Sequence, residues 1–131
     1  MGLLMNIASI SRFLVIFIGI SGCFSVLFGA WLSHAAQHLI TEQLHRIQVA
    51  HQYQMLHTLA LLAVVVWYRV EKSKWLLFSA LSFAAGIVLF CGSLYIKSFF
   101  SINLIGNLAP MGGVLLALGW LLLIFVGKNK L

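Results

Sequence analysis

The sequence predicts an all-α integral membrane protein, a bundle of four transmembrane helices that forms a single domain over residues 1–131. Three observations lead to this fold class. The chain is 63% hydrophobic and only 8% charged, whereas a soluble domain carries roughly a quarter charged residues. The charges are clustered, and the stretches between them are long enough to cross a hydrocarbon core of about 30 Å as helices. The alternating segments that are typical of membrane barrels are absent.

The first predicted span covers about residues 12–32 and follows a short apolar leader. Its apolar run exceeds the core of a signal peptide, so we expect it to be retained as a helix. Ser21, Ser25 and Gly29 recur every four residues and form a ridge of small side chains, which allows helices to approach closely in membranes. We expect this ridge to pack within the bundle, with association of two copies through it as the alternative.

The second predicted span covers about residues 47–68 of a helix that starts near Thr41, where a hydroxyl cap and the carboxylate of Glu42 favour a helix N-terminus. Its first half carries six polar side chains: Gln48, His51, Gln52, Tyr53, Gln54 and His57. Polar groups are costly against lipid, so we expect them to face the bundle interior or the membrane interface.

A tight basic loop, Arg69 to Lys74, leads to the third predicted span, at about residues 75–96. This span offers Gly86 and Gly92 as helix-packing positions. The fourth predicted span, at about residues 107–126, opens with a helix-packing group of three further residues: Pro110, Gly112 and Gly113. Proline is tolerated in a first helical turn, and the glycines allow a close approach or a bend.

The net charge of +6 is distributed unevenly between the two ends of the predicted bundle. Only Arg46 and Lys97 fall at one end. Six basic residues fall at the other: Arg12, Arg69, Lys72, Lys74, Lys128 and Lys130. This bias predicts that both termini and the middle loop are cytoplasmic. The basic charge therefore indicates topology, and we expect the lipid bilayer, not nucleic acid, as a partner.

Several short motifs occur in order along the chain. A small-rich first span precedes His34, and Gln52-Tyr53 with His57 enters an Ala/Leu run. Later motifs are 89–95 (LFCGSLY), 109–113 (APMGG) and 118–120 (LGW). Together they resemble the membrane-protein family called domain of unknown function 423, which includes small bacterial inner-membrane proteins and the eukaryotic transmembrane protein 256.

The resemblance implies four spans, a retained first span and location in a bacterial inner membrane. It supplies no catalytic residues, because the family has no established activity. The family often has a Gly-Ala-His-Gly-like turn at the first histidine, where this chain reads Leu32-Ser33-His34-Ala35, so the resemblance does not extend to a glycine turn there.

The candidate polar network or ligand site lies near the end of the bundle opposite the basic cluster. We predict that it comprises His34, Gln52, Tyr53, His57, Ser93 and Asn107, with Tyr95 as a further hydrogen-bonding side chain. Buried amides, hydroxyls and imidazoles need partners, so the network is expected to fix the packing of spans 2, 3 and 4. The alternative is a small polar pocket that opens outward.

The five histidines of the chain fall within 24 residues. Weak candidates for a transition metal or haem iron are His34, His38, His51 and His57. His51 and His57 are six residues apart on one helix, so their directions differ by about 120° and they cannot aim at one ion. We expect the histidines to form hydrogen bonds at loops and helix ends, and we predict no cofactor and no metal.

The scarcity of carboxylates restricts the function. Glu42 and Glu71 are the only ones and fall in predicted loops, whereas proton-coupled transporters usually place an acid within the membrane. No nucleophile elbow or phosphate-binding loop is present. We therefore predict a non-enzymatic membrane component that interacts with other membrane proteins or a second copy. The alternatives are an oligomeric solute or ion pathway, lined by Gln52, Tyr53 and His57, and a haem- or metal-binding redox subunit.

Overall fold

The computed structural model describes residues 2–34, 38–100 and 108–130, with side chains described for 7–34, 38–100 and 108–128. It contains four long helices that run alternately up and down: α1 (Gly2–His34), α2 (Thr41–Glu71), α3 (Lys74–Phe100) and α4 (Leu108–Lys130). Each helix includes a segment long and apolar enough to cross a membrane, and the described residues contain no strand. The predicted all-α, four-span fold class is confirmed.

Two helix starts differ from the predictions. The segment before Arg12, expected as a leader, continues α1 back to Gly2, which adds about three turns. The helix α2 begins at Thr41 as expected, but the N-cap residue is Ile40 and no side chain forms a capping hydrogen bond. The predicted hydroxyl cap is therefore wrong, because Thr41 is already helical and its side chain does not occupy the cap position.

The connection between α2 and α3 consists of only Lys72 and Ser73. Lys72 adopts a left-handed conformation (φ 57°, ψ 27°), and its N–H donates to the carbonyl of Tyr68 at 2.8 Å. Ser73 Oγ accepts a hydrogen bond from the backbone N–H of Trp75 at 3.2 Å and so caps α3. The basic loop is shorter than predicted, since residues 69–71 remain helical.

The helix α3 contains a π-helical segment, Ile87–Cys91. The wider turn changes the helical phase, so side chains after Cys91 point in directions about one residue, or about 100°, away from those of an uninterrupted α-helix. This phase change lies where α3 packs on both α2 and α4.

The helices α2 and α3 form the centre of the bundle, with α1 packed mainly on α2 and α4 packed on α3. We call the end that holds Arg12, Arg69 and Lys72 the basic end, and the opposite end, where α1 terminates at His34, the histidine end. Apolar side chains fill the half of the bundle near the basic end: Leu14, Ile18, Leu61, Val64, Val65, Leu76, Ala80, Phe83 and Val126.

The α3–α4 interface is built on close backbone approach. A Cβ on Gly86 would lie 2.6 Å from Leu116 Cδ2, and one on Gly119 would lie 2.7 Å from the ring of Phe83. Ser79 Oγ donates to the carbonyl of Gly119 at 2.7 Å. Two helices are thus held at a distance that requires glycine on one side.

Candidate functional site

A chain of polar side chains joins α1, α2 and α3 inside the bundle. Gln54 lies at its centre: its Nε2 donates to Ser21 Oγ at 3.1 Å, and its Oε1 accepts from the hydroxyl of Tyr95 at 2.7 Å. Ser21 Oγ is also 2.8 Å from Thr58 Oγ1. We call these four residues the Ser21 network. Ser21, Gln54 and Thr58 are buried, so the network satisfies groups that lipid could not.

His51 extends the polar contact between α1 and α2 toward the histidine end. Its Nε2 lies 2.7 Å from the carbonyl oxygen of Ser25. A carbonyl can only accept, so Nε2 carries the proton in this contact. Gly29 packs on the same ring, and a Cβ there would lie 3.1 Å from His51 Cε1. A pocket of about 250 Å³, bounded by Gly29, Gln48, His51 and Gln52, opens beside it.

His57 uses both ring nitrogens in bonds within the bundle. The indole Nε1–H of Trp120 on α4 donates to His57 Nε2 at 3.1 Å, and His57 Nδ1 lies 2.8 Å from the carbonyl of Tyr53. An indole N–H can only donate, so Nε2 must be the acceptor and Nδ1 must carry the proton. The hydrogen bonds therefore assign the neutral Nδ1–H tautomer, and neither nitrogen has a free lone pair.

The position of His57 differs from the predicted one. Its partner Trp120 lies about midway along α4, and the adjacent Thr58 meets Ser21 about midway along α1. The sequence-based placement of His57 near one end of the bundle is therefore wrong. His57 lies near the middle of α2, which runs from Thr41 to Glu71.

The six predicted network residues do not form one network among the described side chains. Gln52 and Tyr53 are exposed, and His34 is exposed at the end of α1. Ser93 is buried but donates to the carbonyl of Phe90 in its own helix at 3.0 Å. Of this set, His57 alone forms a side-chain bond between described helices, and Asn107 lies outside the described residues.

The predicted packing residues fall into two interfaces. Ser21, Ser25 and Gly29 face α2, so this ridge is not free to join a second copy. At the α3–α4 interface, a Cβ on Gly112 would overlap the backbone nitrogen of Phe90.

Three further predicted packing positions are less constrained. A Cβ on Gly113 would make an ordinary contact, 3.7 Å from the ring of Phe90. Gly92 has no atom within 4 Å of a Cβ position, and Pro110 is exposed in the first turn of α4. No close helix approach depends on Gly92.

The histidines are not brought together. His51 contacts α1 and His57 contacts α4, while His34 and His45 are exposed. Within the described ranges, no three His, Cys, Asp or Glu side chains form a group that could hold a metal ion. His38 lies near Trp31, with ring centroids 6.3 Å apart.

Sequence reasoning missed Gln54, Thr58 and Trp120 as bonding partners. The available signal was the spacing on α2, where His51, Gln54 and Thr58 continue the face of the buried Leu61 and Val65 in steps of three and four residues. This face, traced back from the apolar half of α2, selects Gln54 and not Gln52. No sequence signal pairs Trp120 with His57, because the two lie 63 positions apart.

Comparisons with known proteins agree with the architecture. The profile of a family described as "Protein of unknown function (DUF423)" matches residues 28–113. The chain is 37% identical over 122 residues to the UPF0382 inner membrane protein YgdD of Escherichia coli strain K12, a match that covers 92% of each chain.

Two further relatives are similar over most of their length. A UPF0382 membrane protein of Haemophilus influenzae is 37% identical over 82% of this chain and 87% of its own. The UPF0382 membrane protein SAB0533 of Staphylococcus aureus is 39% identical over 73% of this chain and 79% of its own. No solved structure matches the chain significantly.

Proposed function

The chain belongs to the DUF423 family of membrane proteins, and from this premise we propose that it is a non-enzymatic component of the bacterial inner membrane that acts by lateral contact with other membrane proteins. Relatives named inner membrane proteins support the location. The proposed orientation places the basic end in the cytoplasm, which follows the basic residues of the short loops.

The observation that carries this proposal is the use of the buried polar side chains. Gln54, Ser21 and Thr58 bond to one another across helices, and both nitrogens of His57 have partners. A catalytic or ligand-binding group needs a free lone pair or proton directed into an accessible space. In the described part of the bundle interior, these groups instead hold helices together.

The packing near the basic end argues against the alternative of a solute pathway. The pocket beside His51 opens at the histidine end, whereas Leu14, Leu61 and Val64 are almost completely buried on the other side of the Ser21 network. Water entering beside His51 therefore meets a packed apolar layer within this bundle.

The outer faces of α1 and α4 are the proposed contact surfaces. Large apolar side chains cover both, with Ile20 and Val26 on α1 exposed by 66% and 72% and Val114 and Ile124 on α4 exposed by 68% and 62%. In a bilayer these faces meet lipid or the helices of a partner.

Site-specific photo-crosslinking in membranes tests the proposal. A photoreactive residue is placed at Val26 on α1 or Val114 on α4, and the matched control places it at the nearly inaccessible Val64. We expect protein adducts of discrete mass from one outer face and none from Val64. A second copy and a different membrane protein are distinguished by the adduct mass and by peptide sequencing.

Lack of adducts at both outer faces would contradict the proposal. A visible absorption band in purified protein that disappears in His57→Ala would contradict it independently and would favour the redox alternative. The spectrum is recorded on tag-free protein in mild detergent, with His45→Ala as the control because His45 is exposed at the start of α2.

A further inference from the structure

A cavity of about 780 Å³ lies at the basic end, between the first turns of α1 and the last turns of α2. Its polar walls come from Ser11 and Arg12 on α1, from Tyr68 and Arg69 on α2, and from Lys72 in the connection to α3. It is separate from the Ser21 network, which lies farther along the helices.

The charge of this cavity is uniform. Three cationic side chains line it, and neither carboxylate of the chain is among its lining residues. Among the described residues, Arg12, Arg69 and Lys72 form no ion pair, whereas Arg46 pairs with Glu42 at the histidine end. Three like charges around one opening repel one another, which a bound anion would relieve.

The second observation is an unsatisfied hydroxyl. Ser11 is 8% exposed and lines the cavity, and its Oγ is buried without a hydrogen-bond partner among the described residues. A buried hydroxyl normally finds a partner, because leaving one unpaired is unfavourable. Ser11, with its unpaired hydroxyl, and the three cations thus line the same cavity.

We propose that this cavity binds a phosphate group, with the headgroup of an anionic phospholipid as its source in the membrane. Guanidinium groups such as those of Arg12 and Arg69 match the oxygens of a phosphate with paired N–H donors. Ser11 supplies an additional hydroxyl, and Lys72 supplies a compact positive charge.

The surroundings favour a lipid over a free ion. Phe13 and Val70 follow the lining residues Arg12 and Arg69 in sequence and are 63% and 78% exposed, so large apolar side chains near the cavity are available to acyl chains. Basic pockets between transmembrane helices on the cytoplasmic side are typical binding sites for anionic headgroups. The proposed orientation, in which the basic end faces the cytoplasm, places the cavity in the leaflet that carries such lipids.

Native mass spectrometry of the full chain tests the proposal. The protein is reconstituted with equal amounts of phosphatidylglycerol and phosphatidylcholine of identical acyl chains, and retained lipids are counted. We expect preferential retention of phosphatidylglycerol, lowered by about fivefold for each cation removed in Arg12→Gln and Arg69→Gln. Ser11→Ala is expected to weaken retention less, because it removes no charge.

The matched control is the double variant Lys74→Gln and Lys128→Gln, which removes two charges from the same end but outside the cavity lining. We expect this control to retain phosphatidylglycerol as the parent protein does. If the control and the double variant Arg12→Gln and Arg69→Gln lose phosphatidylglycerol retention equally, the proposal is overturned, since the retention would then reflect general surface charge. Lack of preference for phosphatidylglycerol in the parent would also overturn it, unless phosphate itself binds.

A second arm separates the two sources of phosphate. Binding of inorganic phosphate is measured in uncharged detergent by equilibrium dialysis with labelled phosphate. Saturable binding that is lost in Arg12→Gln but kept in Lys74→Gln would support the site and identify free phosphate as an occupant. Lack of binding in this arm together with lipid preference in the first identifies the lipid, and failure in both arms refutes the site. Circular dichroism confirms that each variant is folded.

Discussion

Two helix contacts of the bundle, α3 with α4 and α1 with α2, are built in different ways. Between α3 and α4, glycines bring backbones together, and Ser79 donates directly to the carbonyl of Gly119. Between α1 and α2, side chains meet side chains, as in the bond between Ser21 and Thr58. The first contact combines close backbone approach with serine-to-carbonyl bonds, and the second relies on hydrogen bonds between side chains.

This difference indicates which substitutions each interface tolerates. Open space accompanies the polar interface: a groove of about 270 Å³ runs beside Gly22, Ser25 and Thr58. At the α3–α4 interface, a single added methyl at Gly112 has no room. Packing is the main attraction between membrane helices, and individual hydrogen bonds contribute on average less than about 1 kcal/mol. The close-packed interface should therefore be the more sensitive one.

The largest effect is expected from Gly112→Ala, which directs a methyl group at the backbone of Phe90. Backbone cannot rotate away as a side chain can, so we expect a loss of about 2 kcal/mol in the free energy of unfolding. The measurement is unfolding in mixed micelles of increasing dodecyl sulfate content. Gly113→Ala is the control, since its methyl makes an ordinary contact at 3.7 Å. Equal losses in both variants would show that the interface is not glycine-dependent.

A smaller effect is expected from Gln54→Ala, which removes the amide that joins Ser21 to Tyr95. Two lost bonds predict about 1 kcal/mol. A double-mutant cycle with Tyr95→Phe isolates the Gln54–Tyr95 bond, and we expect the two losses to be less than additive. Strict additivity would mean that the two side chains are not coupled.

Trp120→Phe examines the bond that links α4 directly to α2. It removes the indole donor to His57 Nε2 and keeps an aromatic ring, so we expect a loss of about 0.5 kcal/mol. Trp67→Phe is the control, because the Trp67 indole forms no hydrogen bond with described residues and is 40% exposed. If both substitutions cost the same, the loss reflects ring size and the hydrogen bond contributes nothing measurable.

The smallest effect is expected from Gly29→Ala, a glycine in the polar interface. Its methyl would meet the His51 ring at 3.1 Å, and an imidazole edge can shift by a few tenths of an ångström. We expect a loss below about 0.5 kcal/mol, far less than at Gly112. Gly22→Ala is the control, and we expect it to cause no loss, because no atom lies within 4 Å of the added methyl. A loss at Gly29 as large as that at Gly112 would remove the distinction between the two interfaces.

The fold class could be predicted from the sequence because the clustering of charges and the length of the apolar runs are properties of whole segments. A helix of about 20 apolar residues in lipid can be predicted without information about its neighbours, since its backbone hydrogen bonds are internal. The start of α2 at Thr41 was likewise predictable, although its cap was not.

The site was less predictable because it depends on helical phase. To choose between Gln52 and Gln54, the buried face of α2 must be known to within one residue. The π-helical segment Ile87–Cys91 then shifts the phase of Tyr95, which lies beyond it, relative to an ideal helix. If an ideal period of 3.6 residues is assumed through this segment, Tyr95, the partner of Gln54, is assigned to the wrong face of α3.

The two-residue connection at Lys72 and Ser73 has a consequence for how the chain enters the membrane. Of the four spans, α2 is the least apolar, and it is followed almost at once by the strongly apolar α3. Insertion from the translocon depends on segment hydrophobicity, so α2 leaves water less readily than its neighbours. With such a short hinge, α2 and α3 can enter the bilayer as one helical hairpin, and the apolar character of α3 assists the polar α2. We therefore expect the left-handed turn at Lys72 to contribute to insertion as well as to the finished bundle.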